Sequence, residues 1–239
     1  MANTVFHPAD SRGHADLGWL KANYSFSFSG WQNRERVHFG ALRVLNDDFI
    51  DKEVGFGEHP HDNMEIISIV LECALSHRDT MGNMESIKPN EVQVMSAGSG
   101  LRHSEFNHST TEAINSLQIW IFPKLRNIKP KYEQKYFDPA ARKNQLQMLV
   151  APDGTTGDAL TINQDAWIYR TTLEAGKELN YPLQQPGNGV YVFLLDGELS
   201  TEGQTLQKRD ALGIWETNAF NIRAAKDSDI LLIEVPMEF

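Results

Sequence analysis

The sequence predicts an all-β chain folded as two similar barrels, and three observations lead there: short β-type runs, turn residues between them, and an internal repeat. Residues 24–28 (YSFSF) alternate aromatic with serine, the pattern of a half-buried strand. The β-branched runs 65–71 (EIISIVL), 92–95, 117–122 (LQIWIF), 190–195 (VYVFLL) and 230–235 (ILLIEV) read as buried strands. Turn chemistry separates them at Gly82-Asn83, Gly98-Ser99-Gly100, Pro152-Asp153-Gly154 and Asp196-Gly197. Only residues 139–144 (PAARKN) read as helix.

The repeat sets the organisation. Residues 67–76 (ISIVLECALS) lie over 191–200 (YVFLLDGELS) without a gap: hydrophobic strand, acid, small residue, spacer, Leu-Ser. Downstream, 89–95 (PNEVQVM) matches 207–214 (QKRDALGI), an acidic turn followed by a strand. The two matches in the same order imply duplication. Residues 1–123 are then the first barrel; residues 124–239 hold a linker, rich in Lys and Pro over 123–139, and the second barrel.

Composition limits the function classes. The chain has 239 residues, 41% hydrophobic and 23% charged, which suits an ordinary globular protein. A net charge of -10 makes nucleic acid a poor electrostatic partner. With one cysteine, Cys73, no intrachain disulfide forms, and its surroundings suit packing rather than reactivity. No apolar run approaches the roughly 20 residues of a membrane span, and residues 1–16 carry no secretory signal pattern. The expected location is the cytoplasm.

All eight histidines lie in the first half. His59 and His61 are two apart, so in extended backbone they face one side of a sheet, with Glu65 in the same parity. His103 and Glu105 form a second same-face pair after the glycine-rich turn. Three imidazoles and one carboxylate suit a single divalent transition metal: Fe(II) first, with Cu, Mn, Ni, Co or Zn compatible. A closed structural zinc site is the competing use, but its usual thiolates are missing. Glu105 is favoured over Glu65 as the carboxylate ligand, Glu65 being the candidate hydrogen-bond partner of a ligand histidine. His77 reads as a structural or surface residue of a polar turn, and His108 as loop surface. His38 reads as a satisfied core residue, with a supporting role at the site as the lesser alternative, and His7 and His14 read as N-terminal surface residues.

The segments HPHDNMEIISIVLE, SHRDTMGN and MSAGSGLRHSEFN, in this order and followed by LQIWIFP, resemble the pirin family of bicupins. The resemblance runs from about residue 18 to 122 and weakens beyond. It implies one metal in the N-terminal barrel, held by His59, His61, His103 and Glu105. The sequence departs from the family pattern at Cys73, where a glycine is usual, and at Asp62-Asn63-Met64 beside the second histidine. Extending the repeat places Leu183 and Gln185 under His59 and His61, and Ile222 and Ala224 under His103 and Glu105, so the second barrel is expected to be metal-free.

Bacterial members with all four ligands are similar to quercetin 2,3-dioxygenases, which open a flavonol ring with dioxygen and release carbon monoxide. The resemblance therefore implies a phenolic substrate, dioxygen, and Glu105 as general base, with Met64, Phe56 and Leu101 as candidate pocket walls. The family also implies an alternative: an iron-binding, redox-responsive regulator acting through a protein partner.

Overall fold

The computed structural model describes residues 2–155 and 157–239. The first strands are β1 (Asn3–His7), β2 (Gly13–Asp16), β3 (Leu20–Tyr24), β4 (Leu42–Ile50), β5 (Gly55–His61) and β6 (Glu65–Glu72). Next come β7 (Leu75–Asp79), β8 (Met84–Ile87), β9 (Glu91–Ser96), β10 (Leu101–Phe106), β11 (Ile114–Ile121) and β12 (Lys131–Tyr136). The second half supplies β13 (Gln147–Pro152), β14 (Leu160–Ile162), β15 (Trp167–Leu173), β16 (Glu178–Pro182) and β17 (Asn188–Asp196). It ends with β18 (Glu198–Thr201), β19 (Gln204–Gln207), β20 (Ala211–Trp215), β21 (Ala219–Ala224) and β22 (Ser228–Pro236). Among the described residues there is no α-helix; the expected helix at 139–144 is a short 3-10 turn, Pro139–Arg142. No helix is long and apolar enough to cross a membrane.

The strands form four open sheets, a seven-stranded and a four-stranded one in each half, rather than closed barrels. The large sheets run β12-β9-β6-β11-β4-β3-β2 and β1-β20-β17-β22-β15-β13-β14; the small ones run β5-β10-β7-β8 and β16-β21-β18-β19. The order is the same in both halves, as the repeat predicts: β6 corresponds to β17, β9 to β20, β7 to β18. Two edge strands cross the expected boundary at 123/124. β1 closes the second half's large sheet on β20, and β12, placed by the sequence in the linker, closes the first half's on β9.

Residues 24–28 are not a strand. Tyr24 ends β3 and Phe28 forms one isolated bridge with Trp31. Tyr24 and Phe26 are in the core, but Ser25 and Ser27 are buried as well, so burial does not alternate here and the backbone does not continue a ladder.

Period two explains where the core and the site lie. Ile67 and Ile69 of β6, Val92 and Val94 of β9, and Leu117, Ile119 and Ile121 of β11 project from one face of the first large sheet. They pack with Tyr191, Phe193, Leu231 and Ile233 of the second, one continuous core between the halves. The opposite face of these strands and of β4 carries Ser68, Gln93, Gln118, Asn46 and Asp48. It looks toward the small sheet. There the first half has only two small apolar clusters, whereas the second half has a continuous one spanning Tyr181, Phe220, Ile222 and Leu232. The polar interior of the first half is the place for chemistry.

Candidate metal centre

Strands β5 and β10 carry the candidate ligands. His103 pairs with His59 and Leu101 with His61, so the same-face reading of each His pair holds. Between His103 and Glu105 the register slips by one residue, leaving Gly57 and Glu58 opposite Ser104. Such a bulge bends its strand and re-aims a side chain. Gly55 is needed beside it, because a Cβ there would sit 2.1 Å from the Glu105 carbonyl oxygen. The Nδ1 of His59 lies 2.8 Å from the Gly57 carbonyl oxygen, which accepts its proton and leaves Nε2 as the lone-pair atom.

Three imidazoles converge. Nε2 of His61 is 3.0 Å from Nε2 of His103, and the ring centroids of His59 stand 4.9 Å from His61 and 4.4 Å from His103. Candidate ligand atoms of the three lie within 4.8 Å of one another. Burial first, and then neighbouring histidines, pull His103 down to about 2 and His61 to about 4. Both rings are therefore neutral at physiological pH, the state in which imidazole binds a metal. On donor type, spacing and protonation, these residues fit a divalent transition ion.

Glu105 lines the same cavity as His59 and His61. It groups with His103 and His77 within 4.8 Å, not with His59 and His61. It is 3% exposed, and burial pushes its carboxyl up to about 7 against the opposing hydrogen bond from Gln118. Glu65, its competitor, is fully buried but points elsewhere: its Oε2 accepts from Ser96 Oγ at 2.6 Å and from the Asn163 N–H of the second half at 3.3 Å. Its role is to tie the two halves together, not to support a histidine.

A cavity of about 420 Å³ opens onto the site, lined by Trp19, Phe28, Phe56, Trp120, His59 and His61, with Asn46, Asp48, Glu105 and Gln118 at its polar end. Of the expected walls only Phe56 belongs to it. Met64 and Leu101 pack instead in a small cluster with Ile66 and Met95. A larger hollow, about 600 Å³ between Pro139, Arg142, Thr172 and Asp229, is lined by none of these residues.

His77, expected in a polar turn, is 1% exposed and sits in β7 directly behind His103. Its Nδ1 is 3.4 Å from Nδ1 of His103 and 3.1 Å from Nε2 of Gln93; its Nε2 is 3.4 Å from Asp79 Oδ2. The signal was present in the alternation Leu75, His77, Asp79, all buried. His7 is likewise buried, with Nδ1 2.9 Å from the Tyr191 hydroxyl, because β1 joins the other half. His38 packs against Phe122 and Phe239, away from the site; His14 and His108 are exposed.

The second half keeps the strands and loses the chemistry. Ser76 and Ser200 coincide in the repeat, and they pair with Phe106 and Arg223. Glu105 thus corresponds to Ile222, and His103 to Phe220. Phe220 pairs with Tyr181 as His103 does with His59, and Leu183 follows in the place of His61. The register is two residues from the one expected, which had Leu183, Gln185, Ile222 and Ala224 in these places, because β16 and β21 meet earlier than a gapless extension allows. All four corrected positions are apolar or aromatic and join the second core.

Residues 5–121 match the pirin family model, and residues 148–235 match that of the quercetinase C-terminal cupin domain. The chain is 40% identical over 228 residues to a quercetin 2,3-dioxygenase of Escherichia coli strain K12, covering 95% of this chain and 96% of that protein. It is 38% identical over 227 residues to a pirin-like protein of Caulobacter vibrioides, covering 95% and 97%. Among solved structures it resembles YhhW from Escherichia coli, with a TM-score of 0.93, 38% identity, and coverage of 99% and 100%. A nickel(II) complex of bacterial pirin YhhW matches with a TM-score of 0.92 at 38% identity, covering 98% and 99%.

Proposed function

The chain belongs to the pirin family, a two-domain cupin fold, and on that premise we propose that it is a metal-dependent dioxygenase cleaving a flavonol such as quercetin. The observation that carries this reading is the convergence of three imidazoles beside an aromatic cavity of about 420 Å³. Two relatives support it: one carries the quercetin 2,3-dioxygenase name and one was solved with nickel(II).

In this reading His59, His61 and His103 hold the ion, Glu105 is the oxygen ligand once its carboxylate turns from His77 toward them, and Fe(II) is the expected metal. The ion, when bound, supplies Lewis acidity and redox reactivity toward dioxygen. The rest falls to the chain. Trp19 and Phe56, with ring centroids 5.2 Å apart, and Phe28 and Trp120, 5.4 Å apart, wall the cavity with aromatic faces and edges. A flat phenol packs against them and displaces water. Glu105, at the polar end of the same cavity, would take the proton of the reacting hydroxyl as general base.

The second half serves as the packing partner. Residues 1–123 form the metal-binding cupin unit and 124–239 the linker and metal-free unit, with β1 and β12 exchanged between them. The protein works in the cytoplasm, where its lone cysteine stays reduced. The test is turnover. Protein loaded separately with Fe, Cu, Mn, Ni or Co is mixed with quercetin while flavonol absorbance and oxygen are followed. Loss of the band with matching oxygen uptake supports the reading. Failure of every metal form on quercetin and related phenols, with a protein partner bound in one oxidation state only, would replace it by the regulatory alternative.

A further inference from the structure

His77 lies in the SHRDTMGN segment and is the one histidine of this interior outside the proposed ligand set. It lies on β7, the strand that pairs with β10 on the side opposite β5, with His77 across from Glu105 and Asp79 across from His103. The small sheet thus presents His59 and His61 to one side of His103 and a His-Asp pair to the other.

The contacts of that pair have one consistent proton arrangement. Asp79 is held as a carboxylate: its Oδ1 accepts the N–H groups of Met81 at 2.9 Å and Asn83 at 3.0 Å, and its Oδ2 accepts Asn83 Nδ2 at 2.7 Å. These bonds overcome burial and keep its carboxyl below the usual range. Asp79 Oδ2 also faces Nε2 of His77 at 3.4 Å, so that nitrogen carries the His77 proton. Nδ1 of His77 is then a lone pair. Nε2 of Gln93 at 3.1 Å and Nδ1 of His103 at 3.4 Å share that lone pair as donors in this arrangement. With its proton on Nδ1, His103 has its own lone pair on Nε2, the atom 3.0 Å from Nε2 of His61.

We infer that Asp79 and His77 form a relay of hydrogen bonds that fixes the tautomer and ring orientation of His103, so that its Nε2 is presented to the ion. His77 is a positioning residue, not a ligand. Tyr132 holds its ring from another side, with centroids 5.0 Å apart at 34°. Partners of this kind raise ligand basicity, and their loss weakens metal binding roughly 10- to 100-fold. The inference rests on the reading that His103 binds the metal, and the experiment separates the two.

Cobalt(II) is titrated by calorimetry into wild type, His77→Phe, His77→Gln and Asp79→Asn, with the thermal unfolding of each metal-free protein as the control for folding. His77→Phe should bind roughly 10- to 100-fold more weakly. His77→Gln, whose amide oxygen can accept the His103 proton, should recover most of that loss. Nitrogen-15 NMR of the zinc-loaded wild type should show the His103 proton on Nδ1, a signature that a purely structural role would not fix. Should His77→Phe fail to fold, Asp79→Asn and the NMR measurement decide. Binding by His77→Phe within twofold of wild type, or a His103 bound through Nδ1, overturns the relay alone. A wild type that takes up no cobalt overturns the metal reading and the relay with it.

Discussion

Nε2 of Gln118 lies 3.3 Å from both carboxylate oxygens of Glu105. This amide reaches Glu105 from β11 of the large sheet, while Glu105 itself belongs to β10 of the small one, so the bond spans the interior of the first half. It opposes the burial that pushes Glu105 up to about 7. A hydrogen bond to a charged group contributes about 1.5–3 kcal/mol, or about one pH unit or more. In Gln118→Leu, the acidic limb of the kcat profile on a flavonol should move up by about one pH unit. An unmoved limb would show that the limb reports another group.

Glu105→Gln keeps the shape and removes the base. General-base catalysis contributes roughly 10²–10⁴-fold, so kcat should fall by at least about 100-fold while the three histidines retain a measurable share of metal. Full turnover in this variant would take Glu105 out of the mechanism.

His7 predicts a pH effect on stability far from the metal. Burial, with a smaller contribution from the Arg36 charge, pulls its imidazole down to about 4 from the usual 6.5. The folded value is depressed, so the unfolded chain binds the proton more readily between the two values. His7's contribution is therefore fully present above pH 6.5 and is lost as pH falls toward 4; the full difference is on the order of 3 kcal/mol. Denaturant unfolding of wild type and His7→Gln at pH 7 and pH 5 should show a smaller loss on acidification in the variant. Equal losses would place the acid sensitivity elsewhere.

Cys73 occupies a left-handed backbone conformation, φ 62°, and Gly197, its counterpart in the repeat, takes φ 101°. A side chain in that region costs about 1–2 kcal/mol, partly offset by the chain entropy that glycine loses on folding. Cys73→Gly should raise stability by about 0.5–1 kcal/mol, read from the denaturant midpoint. A drop would mean that the packing of the thiol against its neighbours outweighs the backbone strain.

The strands with β-branched runs were legible because local composition and burial agree there, as at Glu65–Glu72 and Ser228–Pro236. The same-face pair His59/His61 was legible for the same reason, a period of two being a local property, whereas the grouping of Glu105 with His77 and His103 rather than with that pair was not. What failed was non-local. His7 and His77 look like surface residues until β1 crosses to β20 and until β10 and Tyr132 cover β7. Glu65 has the expected parity, but β5 ends at His61 and β6 begins a different sheet, so its side chain meets Ser96 and Asn163 instead. The aromatic walls Trp19, Phe28 and Trp120 come from segments far apart in the chain, and no local pattern joins them.

X-ray absorption at the metal edge of the nickel-loaded protein, recorded for wild type and for His61→Ala, reads the ligand set itself. Scattering from three imidazoles is expected in wild type, and loss of most of the bound metal in His61→Ala. A wild-type spectrum without imidazole scattering, or a His61→Ala protein that keeps its full metal content, would contradict that ligand set.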